Sequence, residues 1–293
     1  MSGEVRRAAC HEEIDVRGLK YRLTRWGESS ADPVVLLHGW MDVGLTWQFL
    51  VDCLPDDWSF VAPDWRGFGG SGWAPGGYWF PDYFADLDAL LDAIAPYGPV
   101  RVIAHSMGGN VASMYAGIRR ERLRWLVNIE GVGLPRTSPE QAPGRYEQWL
   151  NQLREGLRES RYESAERLAD VLVMRNPRLT QSRAQFIARA WTRPVDGGVV
   201  LSADPRHRWI NPVLYRREEA EACWRRIEIP VLLLIGERSD ALSRLGGDGT
   251  EERLRSVLRT ARIVTMPDVG HMMHHEAPEA VARQIVEFAR SLS

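Results

Sequence analysis

The chain has little cysteine, almost no lysine and no long apolar run. Its three cysteines, Cys10, Cys53 and Cys223, form no CxxC pair, so a disulfide framework is not indicated. Spanning a bilayer takes about 20 consecutive apolar residues, and no stretch approaches that length. The first residues also lack the apolar segment of a secretion signal. These absences predict a cytoplasmic protein with free thiols and no membrane span.

The chain also lacks an excess of charge of either sign. Its formal net charge is −2, so nothing in the composition calls for nucleic acid or an anionic membrane as partner. The chain has 293 residues, 44% of them hydrophobic, which suffices for one large domain or for a domain with an inserted lid. We expect a small-molecule substrate, no nucleic acid, and a monomer or homodimer.

Short apolar runs alternate with helical patterns along most of the chain. This alternation predicts an α/β fold with a mostly parallel, doubly wound sheet whose two faces are covered by helices. The predicted strands are residues 14–17, 19–26, 34–37, 59–62, 100–104, 123–129, 231–235 and 263–266.

The pattern changes after about residue 134, where prolines interrupt it and no strand-like run follows before residue 231. We therefore predict a core of residues 1–133 and 226–293, with a helical cap of residues 134–225 inserted between two strands. The cap has more arginines than carboxylates. This excess indicates solvated helix faces, or alternatively a cap that attracts an anionic substrate.

Ser106 lies between a predicted strand and a helical pattern, directly before Met107 and two glycines. A serine on a sharp turn of this kind exposes its hydroxyl. Backbone N–H groups at the helix start can stabilise a developing negative charge. The arrangement predicts that Ser106 is a nucleophile.

Asp240 and His271 each follow a later predicted strand, in the chain order that a serine nucleophile of this fold requires. An imidazole can take the hydroxyl proton and return it to the leaving group, and a carboxylate fixes the imidazole tautomer. We therefore predict Ser106, Asp240 and His271 as catalytic residues. Glu130, which ends another predicted strand, is the alternative acid.

Two backbone N–H groups are candidates for the oxyanion hole. Trp40 follows the turn His38-Gly39 after a predicted strand, and Met107 follows the nucleophile. We expect the side chain of His38 to order its loop through hydrogen bonds and to take no part in catalysis.

A glycine-rich stretch after the fourth predicted strand lacks the Lys-Ser/Thr ending of a phosphate-binding loop. We expect a structural loop there, in which Asp64 and Arg66 can pair. Trp40, Trp65 and Trp73 all follow predicted strands, and we expect them to line an apolar pocket.

His271, His274 and His275 have spacings that could share a helix face and bind a metal. Gly270 precedes them, Pro278 follows closely, and no cluster of acidic residues accompanies them in the sequence. The sequence therefore predicts no metal and no cofactor.

Several motifs together resemble the α/β-hydrolase superfamily, and HGWMD with the general layout is similar to the serine hydrolase-like proteins. The motifs are HGW at 38–40, DWRGFGGS at 64–71, AHSMGG at 104–109, GERSD at 236–240 and GHMMHHEAP at 270–278. Two positions depart from the superfamily's pattern. Ala104 replaces the first glycine of G-x-S-x-G. Asp240 comes one position later than in the commoner G-x-x-D, because Ser239 precedes it, and this strengthens the alternative of Glu130.

These residues and the resemblance predict a hydrolase of the carboxylesterase type. It would cleave an ester-like bond in a small, partly apolar substrate through an acyl-enzyme. A serine nucleophile argues against the haloalkane dehalogenase and epoxide hydrolase branches, which the resemblance associates with an aspartate. Hydrolysis of a C–C bond or perhydrolysis on the same residues is the alternative, and a ligand-binding module without catalysis is a third.

Overall fold

A computed structural model describes residues 5–28, 30, 32–156 and 158–292 of the chain. Its strands are β1 (Cys10–Val16), β2 (Leu19–Trp26), β3 (Val34–Leu37), β4 (Phe60–Pro63), β5 (Val100–His105), β6 (Leu123–Ile129), β7 (Arg161–Tyr162), β8 (Thr192–Val195), β9 (Gly198–Leu201), β10 (Val231–Gly236) and β11 (Ala261–Met266). Its α-helices are α1 (Gln48–Val51), α2 (Phe80–Ile94), α3 (Met107–Ile118), α4 (Ala142–Glu155), α5 (Ala165–Arg175), α6 (Gln181–Trp191), α7 (Arg217–Trp224), α8 (Glu251–Val257), α9 (Met273–Glu276) and α10 (Pro278–Arg290). Among these described helices, none is both long and apolar enough to cross a bilayer.

Eight strands form the central sheet, in the order β1-β2-β4-β3-β5-β6-β10-β11. β2 runs antiparallel to both of its neighbours, and every other neighbouring pair is parallel. The predicted mostly parallel sheet is therefore confirmed. β3, β4 and β10 are buried along their whole length, as expected for strands covered on both faces.

The two faces of the sheet support separate apolar clusters, because successive side chains of a strand point to opposite faces. In β3, Val35 and Leu37 belong to one cluster, and Val34 and Leu36 belong to the other. Helices α2, α3, α7 and α8 contribute to the first cluster, while α1, α9 and α10 contribute to the second. The sheet is thus held between two helical layers.

The insertion between β6 and β10 contains a small three-stranded antiparallel sheet, in the order β7-β9-β8, in addition to helices. The prediction of an all-helical cap was wrong on this point. β8 and β9 form a hairpin joined by Asp196 and Gly197, with Val195 paired to Gly198. Asp-Gly between two extended runs is a strong local signal for a hairpin, and it was present in the sequence.

The last helix of the insertion, α7, packs on the core. Ala220 and Trp224 are buried in the same apolar cluster as β5 and β10. A Cβ at Gly117 in α3 would overlap the carbonyl oxygen of Cys223, so the two helices meet backbone to backbone. The segment that departs from the core therefore ends before α7. Its end comes earlier in the chain than the expected boundary at residue 225. The division into two domains stays a prediction.

The expected pairing of Asp64 with Arg66 was wrong. Asp64 forms a salt bridge of 2.7 Å with Arg22. It also accepts a hydrogen bond of 2.7 Å from the backbone N–H of Gly44. Arg66 pairs with buried Asp86 of α2, with Nε 2.5 Å from Oδ2. Each charge thus ties the glycine-rich loop to a different element.

Candidate active site

Ser106 occupies a sharp turn between β5 and α3, with φ 50° and ψ −113°. Few non-glycine residues adopt a positive φ, and such strain concentrates at functional sites. Its backbone N–H donates to the carbonyl of Ile129 at 2.8 Å, which anchors the turn to β6. A Cβ at Gly108 would overlap the carbonyl oxygens of Leu37 and His38, so only glycine lets α3 begin this close to β3.

His271 lies between a hydroxyl and a carboxylate. Its Nε2 is 3.0 Å from Ser106 Oγ, and its Nδ1 is 2.5 Å from Glu130 Oε2. Because a carboxylate only accepts hydrogen bonds when ionised, Nδ1 carries the proton and Nε2 offers its lone pair to the serine. The side chain of His271 is 40% exposed, so this face of the imidazole is accessible.

Glu130 follows β6 with φ 55°, and its side chain is fully buried. Oε1 accepts the backbone N–H of Gly236 at 2.6 Å, and Oε2 accepts the hydroxyl of Ser239 at 2.7 Å in addition to His271. Three donors therefore orient one carboxylate, and they fix it against the imidazole.

Asp240, the acid that the sequence favoured, does not contact His271. Its side chain is 61% exposed and forms a salt bridge of 2.6 Å with Arg244, four residues later. Ser239 stands at the G-x-x-D position, where the superfamily pattern would have its acid, and it donates to Glu130 instead. The structure thus reverses the order of the two candidate acids, because the turn after β10 directs Ser239 inward and Asp240 outward.

The loop after β3 lies directly against the turn at Ser106. A Cβ at Gly39 would lie 3.2 Å from the Cβ of Ser106 and 2.7 Å from Nδ1 of His105, so a larger residue would not fit. Trp40 follows Gly39 at the wall of the cavity. Met107 is the first residue of α3, and an N–H at that position has no acceptor within the helix. Both candidate oxyanion donors therefore flank Ser106.

His38 orders this loop, as its position in the sequence suggested. Its Nδ1 donates to the carbonyl of Gly39 at 2.7 Å, and its Nε2 accepts the backbone N–H of Trp65 at 2.9 Å. The ring is fully buried, and burial lowers its pKa below the ordinary value. A neutral imidazole thus joins the loops after β3 and β4.

A cavity of about 670 Å³ opens above Ser106, between the strand ends of the core and the insertion. This volume is within the range of small-molecule sites, roughly 300–1,000 Å³. Its wall is mainly aromatic and aliphatic, and its aromatic side chains include Trp40, Trp79, Phe80, Tyr83, Trp149 and Trp209.

Only one of the three tryptophans expected at this pocket lines it. Trp40 does, whereas Trp65 is fully buried in the core and Trp73 lies outside the cavity wall. The sequence did not single out Trp149 or Trp209, which the insertion brings over Ser106. A helical or loop tryptophan carries no local signal of the surface that it will face.

The class of α/β hydrolases is defined by a mostly parallel sheet with a serine, a histidine and a carboxylate at its strand ends. In that class the histidine contacts both the serine and the carboxylate, as it does here. The alpha/beta hydrolase family matches residues 34–284, and the chain belongs to this family.

One protein of similar sequence and two solved structures show what the whole chain resembles. A serine hydrolase-like protein of Danio rerio is 30% identical over 99% of this chain and 91% of its own length. A hypothetical protein of Pseudomonas aeruginosa PAO1 has the same fold with TM-score 0.82 and 25% identity, over 96% of this chain and 99% of that one. A thioesterase domain from the curacin biosynthetic pathway also has a TM-score of 0.82, with 24% identity over 95% of this chain and 99% of that one.

Proposed function

We propose that this chain is a serine hydrolase that cleaves an ester-like bond in a small, partly apolar substrate. One observation carries the proposal. His271 lies within 3.0 Å of the hydroxyl of Ser106 and within 2.5 Å of the carboxylate of Glu130. General-base activation of a serine requires this chain of contacts, from hydroxyl to imidazole to carboxylate.

The proposed reaction begins when Ser106 Oγ attacks the carbonyl carbon of the substrate and its proton passes to Nε2 of His271. Glu130 holds the Nδ1–H and stabilises the imidazolium that forms. The N–H groups of Trp40 and Met107 donate to the developing oxyanion. His271 then protonates the leaving group, which gives an acyl-enzyme on Ser106. A water activated by the same imidazole releases the acid.

The composition of the cavity supports a partly apolar substrate. Its wall joins the core residue Trp40 to Trp149 and Trp209 of the insertion, so we propose that the insertion acts as a cap that excludes water from the acyl-enzyme. Two arginines also line the cavity, but Arg206 pairs with Asp204 at 2.9 Å and Arg244 pairs with Asp240 at 2.6 Å. Their charges are already compensated, which favours a neutral ester over an anionic substrate.

The test is the variant Ser106→Ala, compared with Ser243→Ala, which removes an exposed hydroxyl outside the cavity. Wild type and Ser243→Ala should react with a fluorophosphonate probe and hydrolyse short p-nitrophenyl esters. Ser106→Ala should do neither while unfolding at the same temperature. Labelling of Ser106→Ala would overturn the nucleophile. Labelling of wild type without turnover of any ester would overturn the ester substrate, and C–C bond substrates and perhydrolysis would then be assayed.

A further inference from the structure

Behind the proposed active site lies a buried histidine cluster, formed by His105, His274 and His275 with Asp42. All four side chains are essentially inaccessible to solvent. The ring centroids of His105 and His274 are 4.2 Å apart, and those of His274 and His275 are 4.0 Å apart. The proposed mechanism uses none of these four residues, although buried polar groups need a partner to offset their desolvation.

The carboxylate of Asp42 is hydrogen-bonded on one oxygen only. Oδ1 accepts three donors, namely the backbone N–H of Val43 at 2.8 Å, the hydroxyl of Thr46 at 2.6 Å and the indole N–H of Trp191 at 2.7 Å. Oδ2 has no hydrogen-bond partner within the described part of the chain. It faces Nε2 of His274 and Nε2 of His275, each at 3.7 Å.

His105 has one buried ring nitrogen without a hydrogen-bond partner among the described residues. Its Nε2 is 2.9 Å from the carbonyl oxygen of His271 and must donate to it, so its Nδ1 is unprotonated. That Nδ1, both ring nitrogens of His274 and Nε2 of His275 have no hydrogen-bond partner among residues 5–28, 30, 32–156 and 158–292.

The spacing distinguishes the partners that could satisfy these atoms. A protonated histidine would form a charge-assisted hydrogen bond, which draws nitrogen and oxygen to about 2.7–2.9 Å, well below 3.7 Å. A tetrahedral zinc ion with bonds of about 2.0–2.1 Å holds its ligand atoms about 3.4 Å apart. The separations of 3.7 Å between Asp42 Oδ2 and the two imidazole nitrogens are closer to the second distance, whereas the three-ligand group as a whole, within 4.8 Å, would contract around an ion. An ionised carboxylate with neutral imidazoles is the form in which these groups bind metal.

We propose that Asp42, His105 and His274 bind a divalent transition-metal ion of the zinc type. Each offers one ligand atom, and the three atoms lie within 4.8 Å of one another. We assign His275 as the fourth ligand because its Nε2 lies 3.7 Å from Oδ2 of Asp42, although it lies outside this group of three. A metal-binding histidine usually donates its other N–H to a carboxylate or a backbone carbonyl, as His105 does to His271.

The site would be a structural one, because the side chains of all its ligands are essentially inaccessible to solvent. It joins three segments that carry the active site: the loop after β3 with Trp40, the strand end before Ser106, and α9, which follows His271. Trp191 at the end of α6 also ties Asp42 to the insertion. The ion would therefore fix the position of the loop that carries Trp40 relative to the proposed base, His271.

The sequence predicted no metal because its three nearby histidines lacked an acidic ligand. The structure groups different residues from the three histidines that the sequence suggested. His271 faces Ser106 and Glu130 instead, while Asp42 and His105 join His274 from distant positions. The proposal therefore departs from the sequence prediction in both its ligands and its outcome.

The test loads the full chain with metal during folding, since the ligands are buried. The protein is unfolded in chelator, refolded with or without Zn²⁺ or Co²⁺, and freed of loose metal by gel filtration. We expect about one bound zinc per chain, a higher unfolding temperature with zinc, and the visible spectrum of tetrahedral Co²⁺ without a thiolate charge-transfer band. Less than a tenth of an equivalent, with no temperature shift, would overturn the proposal.

Variants then identify the ligands. Asp42→Asn and His274→Gln should each weaken zinc binding at least tenfold, and His275→Gln should alter the Co²⁺ spectrum, whereas His11→Gln on β1 should bind as wild type does. If Asp42→Asn or His274→Gln fails to refold, the Co²⁺ spectrum of wild type and of His275→Gln still tests the site. Zinc retained in all the cluster variants but lost in His271→Gln would place the ion at the proposed catalytic residues and overturn this assignment.

Discussion

At the scale of single residues, the acid beside His271 is decided by which carboxylate the backbone turns inward. Glu130 is buried and receives three donors, whereas Asp240 is mostly exposed and pairs with Arg244. The sequence contained a warning, because Ser239 occupies the usual position of the acid. That serine supports Glu130 by donating to it.

Replacing the two carboxylates separately should show this difference in rate. Glu130→Gln should lower kcat by orders of magnitude, up to roughly 10⁴-fold where the imidazole tautomer is wrong. Asp240→Asn should leave kcat within about twofold, because its side chain contacts Arg244 in solvent. The measurement is ester hydrolysis under saturating substrate, with thermal unfolding to confirm that both variants are folded. A large loss in Asp240→Asn with little in Glu130→Gln would restore the original assignment.

At the scale of elements, α3 links Ser106, which precedes it, to α7, the last helix of the insertion. Its first residues pack on the end of β3 through Gly108, and Gly117 near its other end meets the backbone of Cys223 in α7. The glycines therefore set how closely α3 approaches two neighbours. The insertion follows local rules where it forms the β8–β9 hairpin, but its helices acquire their role only by lying above Ser106.

A methyl group at Gly117 should separate α3 from α7. Gly117→Ala should lower the free energy of unfolding by about 1–3 kcal/mol, the usual cost of overpacking. The activity of the folded fraction should persist, because Ser106 lies at the opposite end of the helix. Gly144→Ala in α4 is the matched control, since its Cβ would meet open space, and it should gain up to about 1 kcal/mol. Urea unfolding measures both, and equal stability of Gly117→Ala and wild type would contradict this packing.

At the scale of the whole molecule, a half-buried neutral histidine of the insertion couples the fold to pH. His207 of the insertion is stacked between Phe68 and Tyr78, with ring centroids 3.8 and 3.6 Å away. Burial lowers the pKa of His207 to about 3, from an ordinary value of 6.5. The unfolded imidazole gains a proton near pH 6.5 and the folded one does not, so its stabilisation is present above pH 6.5 and is lost as the pH falls towards 3.

Stability should therefore decrease on acidification, and His207 should account for a measurable part of the slope. His207→Gln should be less stable than wild type at pH 7.5, because it loses the aromatic stacking. Between pH 6.5 and 4, the free energy of unfolding of the variant should fall less steeply than that of wild type. The reason is that the variant takes up about one proton fewer on unfolding, at most. Urea unfolding across this range measures the slope. The same slope in both proteins would show that His207 is not held neutral by the fold.

The sequence by itself determined the eight strands of the central sheet, their alternation with helices, and the positions of Ser106 and His271 at strand ends. These follow from local apolar patterning and turn chemistry, which neighbouring residues specify. Only the tertiary structure decided that Glu130 faces His271, that Trp149 and Trp209 lie over Ser106, and that Asp42 meets His105 and His274. Each of these depends on the direction of a side chain across elements far apart in the chain, and no local pattern fixes that direction.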